Sequence, residues 1–303
     1  MAEKEFKKKK KTSLEGEMSP LMIVLCVILS CYVISLVVPF FWGILTSLKG
    51  KYELRSNVFG LPQDWLFSNY VTAFNAYTMK ITYGATFTWV YLEEMLLNSF
   101  LHSIGCSVIK TFCVCIVAYV TAKFSHFIFS KFLNTLVLIL MMIPIVGSLP
   151  SELALARALG LYDHIWGLWL MAFNFLGMHY FVFSAMFSNI PKDYADAAYI
   201  DGASEWQVLG KIMLPMARNT FFVIVLLNFI GYWNDYSTAL LYLPSHPTLA
   251  LGLHSFSTST DNELASVPMK LTGCMILLLP ILTLFLIFHD KMIGKISIGG
   301  LKE

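Results

Sequence analysis

An apolar stretch from Leu21 to Leu48 contains no charged residue. A helix of about 20 predominantly apolar residues is long enough to cross a bilayer, because each residue adds about 1.5 Å to a helix that must span roughly 30 Å of hydrocarbon. The stretch is also longer than the core of a signal peptide, which has about 7 to 15 apolar residues. We therefore predict that this segment is a retained membrane-spanning helix.

Similar stretches recur along the rest of the chain. Hydrophobic residues make up 57% of the sequence and charged residues only 13%, which leaves too little polar surface to cover a soluble globule. Backbone polar groups in hydrocarbon must be hydrogen-bonded within the segment, so these stretches are expected to be helical. We predict an all-α polytopic membrane protein of about six transmembrane helices, at residues 21–47, 95–122, 132–154, 165–188, 219–241 and 271–289.

The basic residues indicate how the chain is oriented. Lys7 to Lys11 form an unbroken run before the first predicted span. If this end is cytoplasmic, 14 of the 21 Lys and Arg residues lie on the cytoplasmic side and six lie outside, which is the usual bias. We expect both termini to be cytoplasmic. The resulting segments are an amino-terminal segment 1–20, an outside segment 48–94 with short helices on the outer face, a cytoplasmic loop 189–218 and a tail 290–303.

Some residues inside the predicted spans are unfavourable in lipid. Pro144, Pro150 and Pro280 should kink or break their helices, which a membrane tolerates only where protein or a watery cavity satisfies the freed backbone groups. These prolines favour a translocation pathway over a simple anchor. An unpaired Lys110 would cost at least about 2.5 kcal/mol, so this residue should pair with a carboxylate on another helix or line a watery cavity.

The sequence contains no signature of enzymatic or metal chemistry. No pair among the seven histidines has metal-ligand spacing on one helix, and no nucleophile and base stand out. The phosphate-binding pattern G-x-x-x-x-G-K-[ST] is absent. The net charge of +2 gives no ground for a nucleic-acid partner. We predict no catalytic residue, no metal site and no nucleotide site in this chain.

The loop between the fourth and fifth predicted spans, residues 191–215, has the signals of two short helices. Asp193 and Asp196 suit the first turn of a helix, where the helix dipole favours negative charge. Gly202 permits the sharp turn that ends this helix.

Ser204 followed by Gln207 forms a capping-box pattern that starts a second helix. We expect this helix to end before Pro215, because a proline disfavours helical backbone in the residue before it. Two short helices separated by a turn are suited to fit a cleft in another protein.

These residues resemble the EAA loop of permease subunits of ATP-binding-cassette (ABC) importers. The similarity lies in the spacing from Asp196-Ala197-Ala198 to Gly202 and on to Pro215, with Asp196 where the family usually has glutamate. The resemblance implies that the first helix docks in a groove of an ATPase subunit, with its acidic residue facing a basic one. The implied coupling residues are Asp193, Ala195, Asp196, Ala197, Ala198, Asp201, Gly202, Ala203, Ile212, Leu214 and Pro215.

Within this family the chain is most similar to carbohydrate permeases of the maltose-transporter type, specifically the smaller six-span partner. The similarity rests on Ile200 to Ala203 with Leu214-Pro215, on Tyr232 to Tyr236, on Met292 to Lys302 and on Leu159 to Asp163. It implies the type I ABC importer permease fold and import of a sugar or oligosaccharide. A permease for another solute, such as a polyol or glycerol phosphate, remains the alternative.

The resemblance also implies a set of partners in a bacterial cell membrane. A second homologous permease would complete the pathway within the lipid bilayer, and an extracytoplasmic binding protein would deliver the sugar. Two cytoplasmic ATPase subunits would hold ATP and Mg, so this chain would bind no cofactor. ATP-driven closure of the ATPase pair would move the docked loops and rotate the spans.

The outer part of the fifth predicted span carries polar and aromatic residues that could contact a sugar in transit. Aromatic belts at membrane interfaces are common and are an equal explanation for them. These residues are Asn228, Trp233, Asn234, Asp235 and Tyr236.

Two other classes of protein fit less well. An ion-coupled secondary transporter would be expected to have acidic residues in the middle of its spans, whereas the acidic residues here lie near span edges. A membrane-embedded enzyme would require a catalytic constellation, and none is found in the sequence.

Overall fold

A computed structural model describes residues 20–83, 86–143, 147–261 and 264–293. The lysine run, Pro144 and the tail beyond residue 293 lie outside the described residues. The described chain is helical apart from one hairpin, which agrees with the predicted fold class. Its helices are α1 (Pro20–Ser47), α2 (Glu53–Ser56), α3 (Ser68–Ala76), α4 (Leu92–Lys123), α5 (Ile128–Met142), α6 (Leu149–Ala158), α7 (Ile165–Met171), α8 (Met178–Asn189), α9 (Asp193–Ile200), α10 (Glu205–Val208), α11 (Leu214–Asn234), α12 (Tyr236–Tyr242), α13 (Leu249–Ser257) and α14 (Val267–Ile293).

Four of the predicted spans are long, apolar, continuous helices in the described chain. They are α1, α4, the helix from Glu205 to Asn234 and the part of α14 from Val267 to Ile287. The helix α14 continues past Pro280.

The third and fourth predicted spans are each divided into two helices. The third is divided between α5 and α6, close to the prolines that predicted a break. The fourth is divided between α7 and α8, which the apolar pattern did not predict. Gly177 there has a φ of 136°, and the Asn174 side chain accepts a hydrogen bond from the Leu176 N–H at 2.7 Å. Hydrophobicity reports how much apolar surface a segment has and not whether its backbone is continuous.

The outside segment contains the expected short helices, α2 and α3, and also an unexpected β-hairpin. Strands β1 (Thr78–Tyr83) and β2 (Thr86–Tyr91) pair antiparallel, with Thr78 opposite Tyr91. Val90 and Ile81 of the hairpin are buried, whereas Trp89 is exposed. Alternating β-branched and aromatic residues around a glycine were a strand signal in the sequence. The expectation of helices alone was therefore incomplete.

Helix α4 is the central element of the bundle, because α11, α8, α7 and α13 all pack against it. One side of α4 is an exposed apolar stripe of residues three or four positions apart, formed by Leu97, Leu101, Ile104, Val108 and Phe112. The buried residues of α4 are unusually polar, and include Asn98, Ser99, His102, Ser103, Ser107 and Thr111. Buried polar residues of this kind are stable only where hydrogen-bonding partners meet them.

Three clusters of buried side chains form the core of the described chain, and two of them border the loop and the hairpin. The first, called here the loop-side cluster, lies between α4, α8 and the helix that begins at Glu205; its members include Val114, Ala118, Phe183, Phe187, Val208 and Met213. The second lies near the hairpin and includes Tyr77, Val90, Met95, Phe229, Trp233 and Leu249.

Gly167 in α7 marks a close backbone approach. A Cβ built at this position would lie 2.1 Å from the Leu161 carbonyl oxygen, so the backbone would have to move. We expect Gly167→Ala to lower the free energy of unfolding by about 1 to 3 kcal/mol, the usual cost of overpacking. A control is Gly231→Ala in α11, where a Cβ meets nothing within 4 Å. Thermal unfolding of the detergent-solubilised protein gives the melting temperature of each variant. Equal melting temperatures for the two variants would contradict the expectation.

Candidate functional site

Helix α9, the first helix of the predicted coupling loop, has two chemically different faces. Ala195 and Ala198 on one face are partly buried and pack against the loop-side cluster, as does Ala203 after the helix. Methyl side chains allow the axis of α9 to lie close to the cluster. The alanines that the sequence assigned to coupling thus seat α9 on the helix bundle.

The opposite face of α9 is open to solvent. Positions 193, 196, 197 and 200 are three or four residues apart, so they lie on one side of the helix, and all four side chains are exposed. Ile200 is 86% exposed, which leaves a large aliphatic side chain without a packing partner in this chain. We call Asp193, Asp196, Ala197 and Ile200 the docking face.

Neither carboxylate of the docking face is neutralised within the described chain. Asp193 and Asp196 occupy the first turn of α9, as the sequence predicted, and no basic group among the described residues forms an ion pair with Asp196. Lys123 at the end of α4 instead donates a hydrogen bond to the Ile190 carbonyl at 2.9 Å. Lys123 therefore fixes the start of the loop, and although it lies within electrostatic range of Asp196 it forms no ion pair with that carboxylate.

Gly202 ends α9 with a Schellman motif. Its φ is 80°, its N–H donates to the Tyr199 carbonyl at 3.0 Å, and the Ala203 N–H donates to the Ala198 carbonyl at 2.9 Å. These two bonds satisfy carbonyl groups at the end of the helix. The sequence-based role of Gly202 as a turn residue agrees with this geometry, and Asp201 lies beside it, exposed.

The second helix of the loop begins where the sequence predicted, after Ser204, but it does not end before Pro215. Ser204 and Gln207 form a capping box, in which the Ser204 N–H donates to Gln207 Oε1 at 2.8 Å. The helix then passes through a π-helical turn, Leu209–Met213, into α11. The expected end before Pro215 was therefore wrong. A proline removes one N–H and crowds the preceding turn, and the wider π turn lies where that crowding falls.

The remaining residues assigned to coupling lie at this junction. Ile212 and Leu214 are partly buried, and Leu214 packs against the loop-side cluster, whereas Pro215 is exposed. They connect the loop to the fifth predicted span and are not part of the docking face.

A contact between the two helices of the loop was missed in the sequence. The Tyr199 hydroxyl donates to Glu205 Oε2 at 2.7 Å. Burial raises the pKa of Tyr199, and so does the hydrogen bond to Glu205, so the hydroxyl remains a donor at any physiological pH. Together with the turn at Gly202, this bond fixes the angle between α9 and α10.

The residues proposed for the substrate pathway are mostly engaged within the chain. Asn228 donates to Thr111 Oγ1 at 3.0 Å, and Trp233, 1% exposed, donates to the Leu277 carbonyl at 3.1 Å. These two residues join α11 to α4 and to α14.

The other three pathway residues lie where α11 ends. Asn234 donates to the Ile230 carbonyl, and Asp235 caps α12 by accepting from the Ser237 N–H at 2.9 Å. The exposed Tyr236 stacks on His254 with ring centroids 4.3 Å apart. Tyr236 is thus the one member of the set with both an aromatic face and substantial exposure.

The family of the chain follows from a comparison with known proteins. Residues 115–296, which contain the coupling loop and both helices that hold it, match the model of the "binding-protein-dependent transport system inner membrane component" family. The chain belongs to this family.

Curated relatives of this inner membrane component match most of its length. The chain is 26% identical over 267 residues to the diacetylchitobiose uptake system permease protein NgcG of Streptomyces coelicolor, covering 87% of this chain and 83% of the relative. It is 27% identical over 269 residues to the arabinooligosaccharides transport system permease protein AraQ of Bacillus subtilis, covering 87% and 90%.

A solved structure has the same fold. A chain of a bacterial ABC transporter involved in the import of the acidic polysaccharide alginate matches with a TM-score of 0.71 at 20% sequence identity, covering 91% of this chain and 99% of that one. At this identity the match shows a shared fold, that of an ABC importer permease.

The turn at Gly202 allows a specific test. A Cβ there meets no atom within 4 Å, so the cost of Gly202→Ala is the cost of a positive φ, about 1 to 2 kcal/mol. The matched control is Gly210→Ala, which also meets no atom and has no positive φ. We expect faster limited proteolysis between α9 and α10 in the Gly202 variant only. Equal cleavage of both variants would show that the turn does not constrain the loop.

Proposed function

We propose that this chain is a transmembrane permease subunit of an ATP-driven ABC importer for a sugar or oligosaccharide, that it forms half of the translocation pathway, and that residues 191–215 couple it to an ATPase. The observation that carries the proposal is the two-faced helix α9. One face is seated on the bundle through Ala195 and Ala198, while on the other Ile200 is exposed and Asp196 forms no ion pair in the described chain. An exposed aliphatic side chain beside carboxylates suits a groove with apolar walls and a basic rim.

Force applied to α9 would reach the membrane through continuous helix. The helix from Glu205 to Asn234 has 30 residues and is therefore about 45 Å long. The Tyr199–Glu205 bond joins its first turn to α9, so that a displacement of α9 turns the whole helix instead of bending the loop.

The loop-side cluster would carry the same displacement to the neighbouring spans. Tyr180 of α8, fully buried, donates to Thr121 Oγ1 of α4 at 2.8 Å and lies 3.2 Å from Asn134 Oδ1 of α5. Since this cluster is close-packed and hydrogen-bonded beneath α9, the loop and the helix ends around it would move as one body.

The proposal includes the remaining parts of the importer. A second homologous permease, two cytoplasmic ATPase subunits that hold ATP and Mg, and an extracytoplasmic binding protein would complete it, with no cofactor held by this chain. The permease domain is 21–289, with cytoplasmic termini 1–20 and 290–303, an outside segment 48–94 and a cytoplasmic loop 189–218, in a bacterial cell membrane. Family membership supports these parts, because relatives of the chain are permease components of uptake systems.

The names of the relatives support a saccharide as the solute. They transport diacetylchitobiose, arabinooligosaccharides and trehalose according to those names. A polyol or glycerol phosphate is the alternative solute within the same family. The candidate pathway residues Asn228, Trp233, Asn234, Asp235 and Tyr236 stay a prediction, in which Tyr236 offers the accessible aromatic surface that stacking on a sugar ring requires.

Charge reversal on the docking face tests the electrostatic part of the proposal. Asp196→Lys places like charges opposite each other if the groove of the ATPase is basic there, which costs several kcal/mol across an interface. We expect the variant to lose co-purification with the ATPase subunits and solute-stimulated ATP hydrolysis. The control is Asp64→Lys, which reverses an exposed charge on the outside segment. If Asp196→Lys retains full ATPase association, the docking assignment is wrong.

The apolar part of the docking face has a closely matched control. Ile200 and Ile128 are both 86% exposed, but Ile128 begins α5 and lies outside the docking face. Burial of an isoleucine at an interface contributes about 1.5 to 3 kcal/mol, so Ile200→Ser should weaken ATPase binding by about tenfold or more. Binding of solubilised permease to immobilised ATPase measures this. Ile128→Ser should bind like the unaltered protein, and equal loss in both variants would argue against a specific docking face.

A further inference from the structure

A line of polar residues crosses the middle of α4. His102, Cys106 and Lys110 are four residues apart, so they lie on one side of the helix. His102 Nδ1 lies 3.5 Å from Cys106 Sγ. The ring of Tyr232, from α11, is shared by both ends of the line: His102 meets it edge-on at 5.6 Å between centroids, and the Lys110 ammonium lies 5.8 Å from its centroid. We call His102, Lys110 and Tyr232 the mid-span cluster.

The direction of Lys110 excludes simple contact with lipid. At 100° per residue, Lys110 lies roughly 180° around α4 from Leu101 and about 160° from Phe112, which belong to the exposed apolar stripe. Lys110 therefore points toward the interior of the bundle. Its side chain is nevertheless partly exposed, whereas its neighbour Thr111 is fully buried. An interior-facing side chain that stays accessible indicates a recess between the helices.

The charge of Lys110 is not compensated within the described chain. No carboxylate lies within ion-pair distance of its ammonium in the described residues, where the ring of Tyr232 is its recorded contact. A cation–π contact contributes about 0.5 to 2 kcal/mol, which is less than the cost of at least about 2.5 kcal/mol for an unpaired charge at this depth. The position therefore needs further stabilisation, either from water in a recess or from an anionic group that reaches the ammonium.

An unsatisfied polar atom lies at the other side of the Tyr232 ring. His102 is 1% exposed, and its Nε2 has no hydrogen-bond partner. When the Cys106 thiol donates to Nδ1, the neutral imidazole carries its proton on Nε2 and can donate a hydrogen bond. Buried donors without partners are uncommon in proteins, and one that shares a tyrosine ring with a cation suits an oxygen-bearing ligand.

The break in the fourth predicted span lies beside this cluster. His179, in the first turn of α8, is within electrostatic range of Lys110, so residues 172–177 interrupt the helix near the depth of the mid-span cluster. Irregular backbone at membrane depth occurs where it is buried in protein or lines a watery cavity. The break and the accessible lysine both indicate a hydrated pathway on this side of α4.

We propose that the mid-span cluster is a binding site for an anionic group, a carboxylate or a phosphate, carried by the transported solute. Lys110 supplies the positive charge, Tyr232 holds the ammonium against its ring, and His102 donates a hydrogen bond from Nε2. The inference rests on the proposed import function and adds that the solute is an acidic saccharide or a saccharide phosphate. An inter-subunit ion pair, in which a carboxylate of the partner permease meets Lys110, is the competing explanation.

Uptake by the complete transporter in proteoliposomes tests the site. The probes are a disaccharide containing a hexuronic acid, a hexose phosphate and a neutral disaccharide, each supplied with the binding protein of the system. The variants are Lys110→Met, Lys110→Arg, Tyr232→Phe and Tyr232→Leu, with Lys131→Met as control, because Lys131 is an exposed lysine on α5.

For a charged hydrogen-bonding contact, we expect Lys110→Met to raise the KM for the anionic probe by about tenfold or more. Lys110→Arg keeps the charge and Tyr232→Phe keeps the ring, so both variants should have a KM for the anionic probe close to that of the unaltered protein. Tyr232→Leu should raise the KM for the anionic probe but not for the neutral one. The two anionic probes distinguish carboxylate from phosphate.

Three results would overturn the site. They are transport of the neutral probe alone, equal effects of Lys110→Met on neutral and anionic probes, and loss of co-purification with the partner permease, which would identify an inter-subunit ion pair. If the unaltered complex takes up none of the three saccharide probes, the proposed sugar-import function itself fails, and the site falls with it.

Discussion

The packing of α4 against α11 is the contact on which the rest of the structure depends. It is held by a hydrogen bond from Asn228 to Thr111 and by the edge-on contact of Phe100 with Trp233, whose ring centroids are 4.9 Å apart. A polar pair between two membrane helices has few competing partners in lipid, so it fixes how the helices are rotated against each other. That rotation places the docking loop at one end of α11 and the buried polar residues of α4 in the interior.

The predicted coupling loop extends this helix pair. Its stiffness comes from local chemistry, since the turn at Gly202 and the cap at Ser204 each satisfy backbone groups that would otherwise be free. Its position comes from packing, because Ala195 and Ala198 seat α9 on the cluster between α4, α8 and α11. Under the proposed function the loop needs both stiffness and a fixed position, because flexibility within the loop would absorb a displacement before it reached the spans.

Several features of the site could be predicted because their signals are local. The capping box and the turn glycine depend on residues within four positions of each other, and they lie where the sequence indicated. Other features could not be predicted, because they depend on how one helix or turn meets another in space. They are the Tyr199–Glu205 bond, the continuation of the helix past Pro215 and the division of the fourth predicted span. The hairpin of β1 and β2 is an intermediate case, because the sequence contained a strand pattern there but the prediction for this segment was helical.

The membrane environment, the apolar helices and the local structure of the predicted coupling loop can be inferred from the sequence, since hydrophobicity, capping and turn formation depend on neighbours along the chain. Which side of each helix is used emerges only when the helices pack together. The tertiary structure shows Asn228 and Trp233, which the sequence predicted to contact the solute, hydrogen-bonded to neighbouring helices. It also brought Lys110 against Tyr232, 122 positions further along the chain, in the interior of the bundle. The physical reason is that helix rotation is set by side-chain packing between distant segments, which no local pattern specifies.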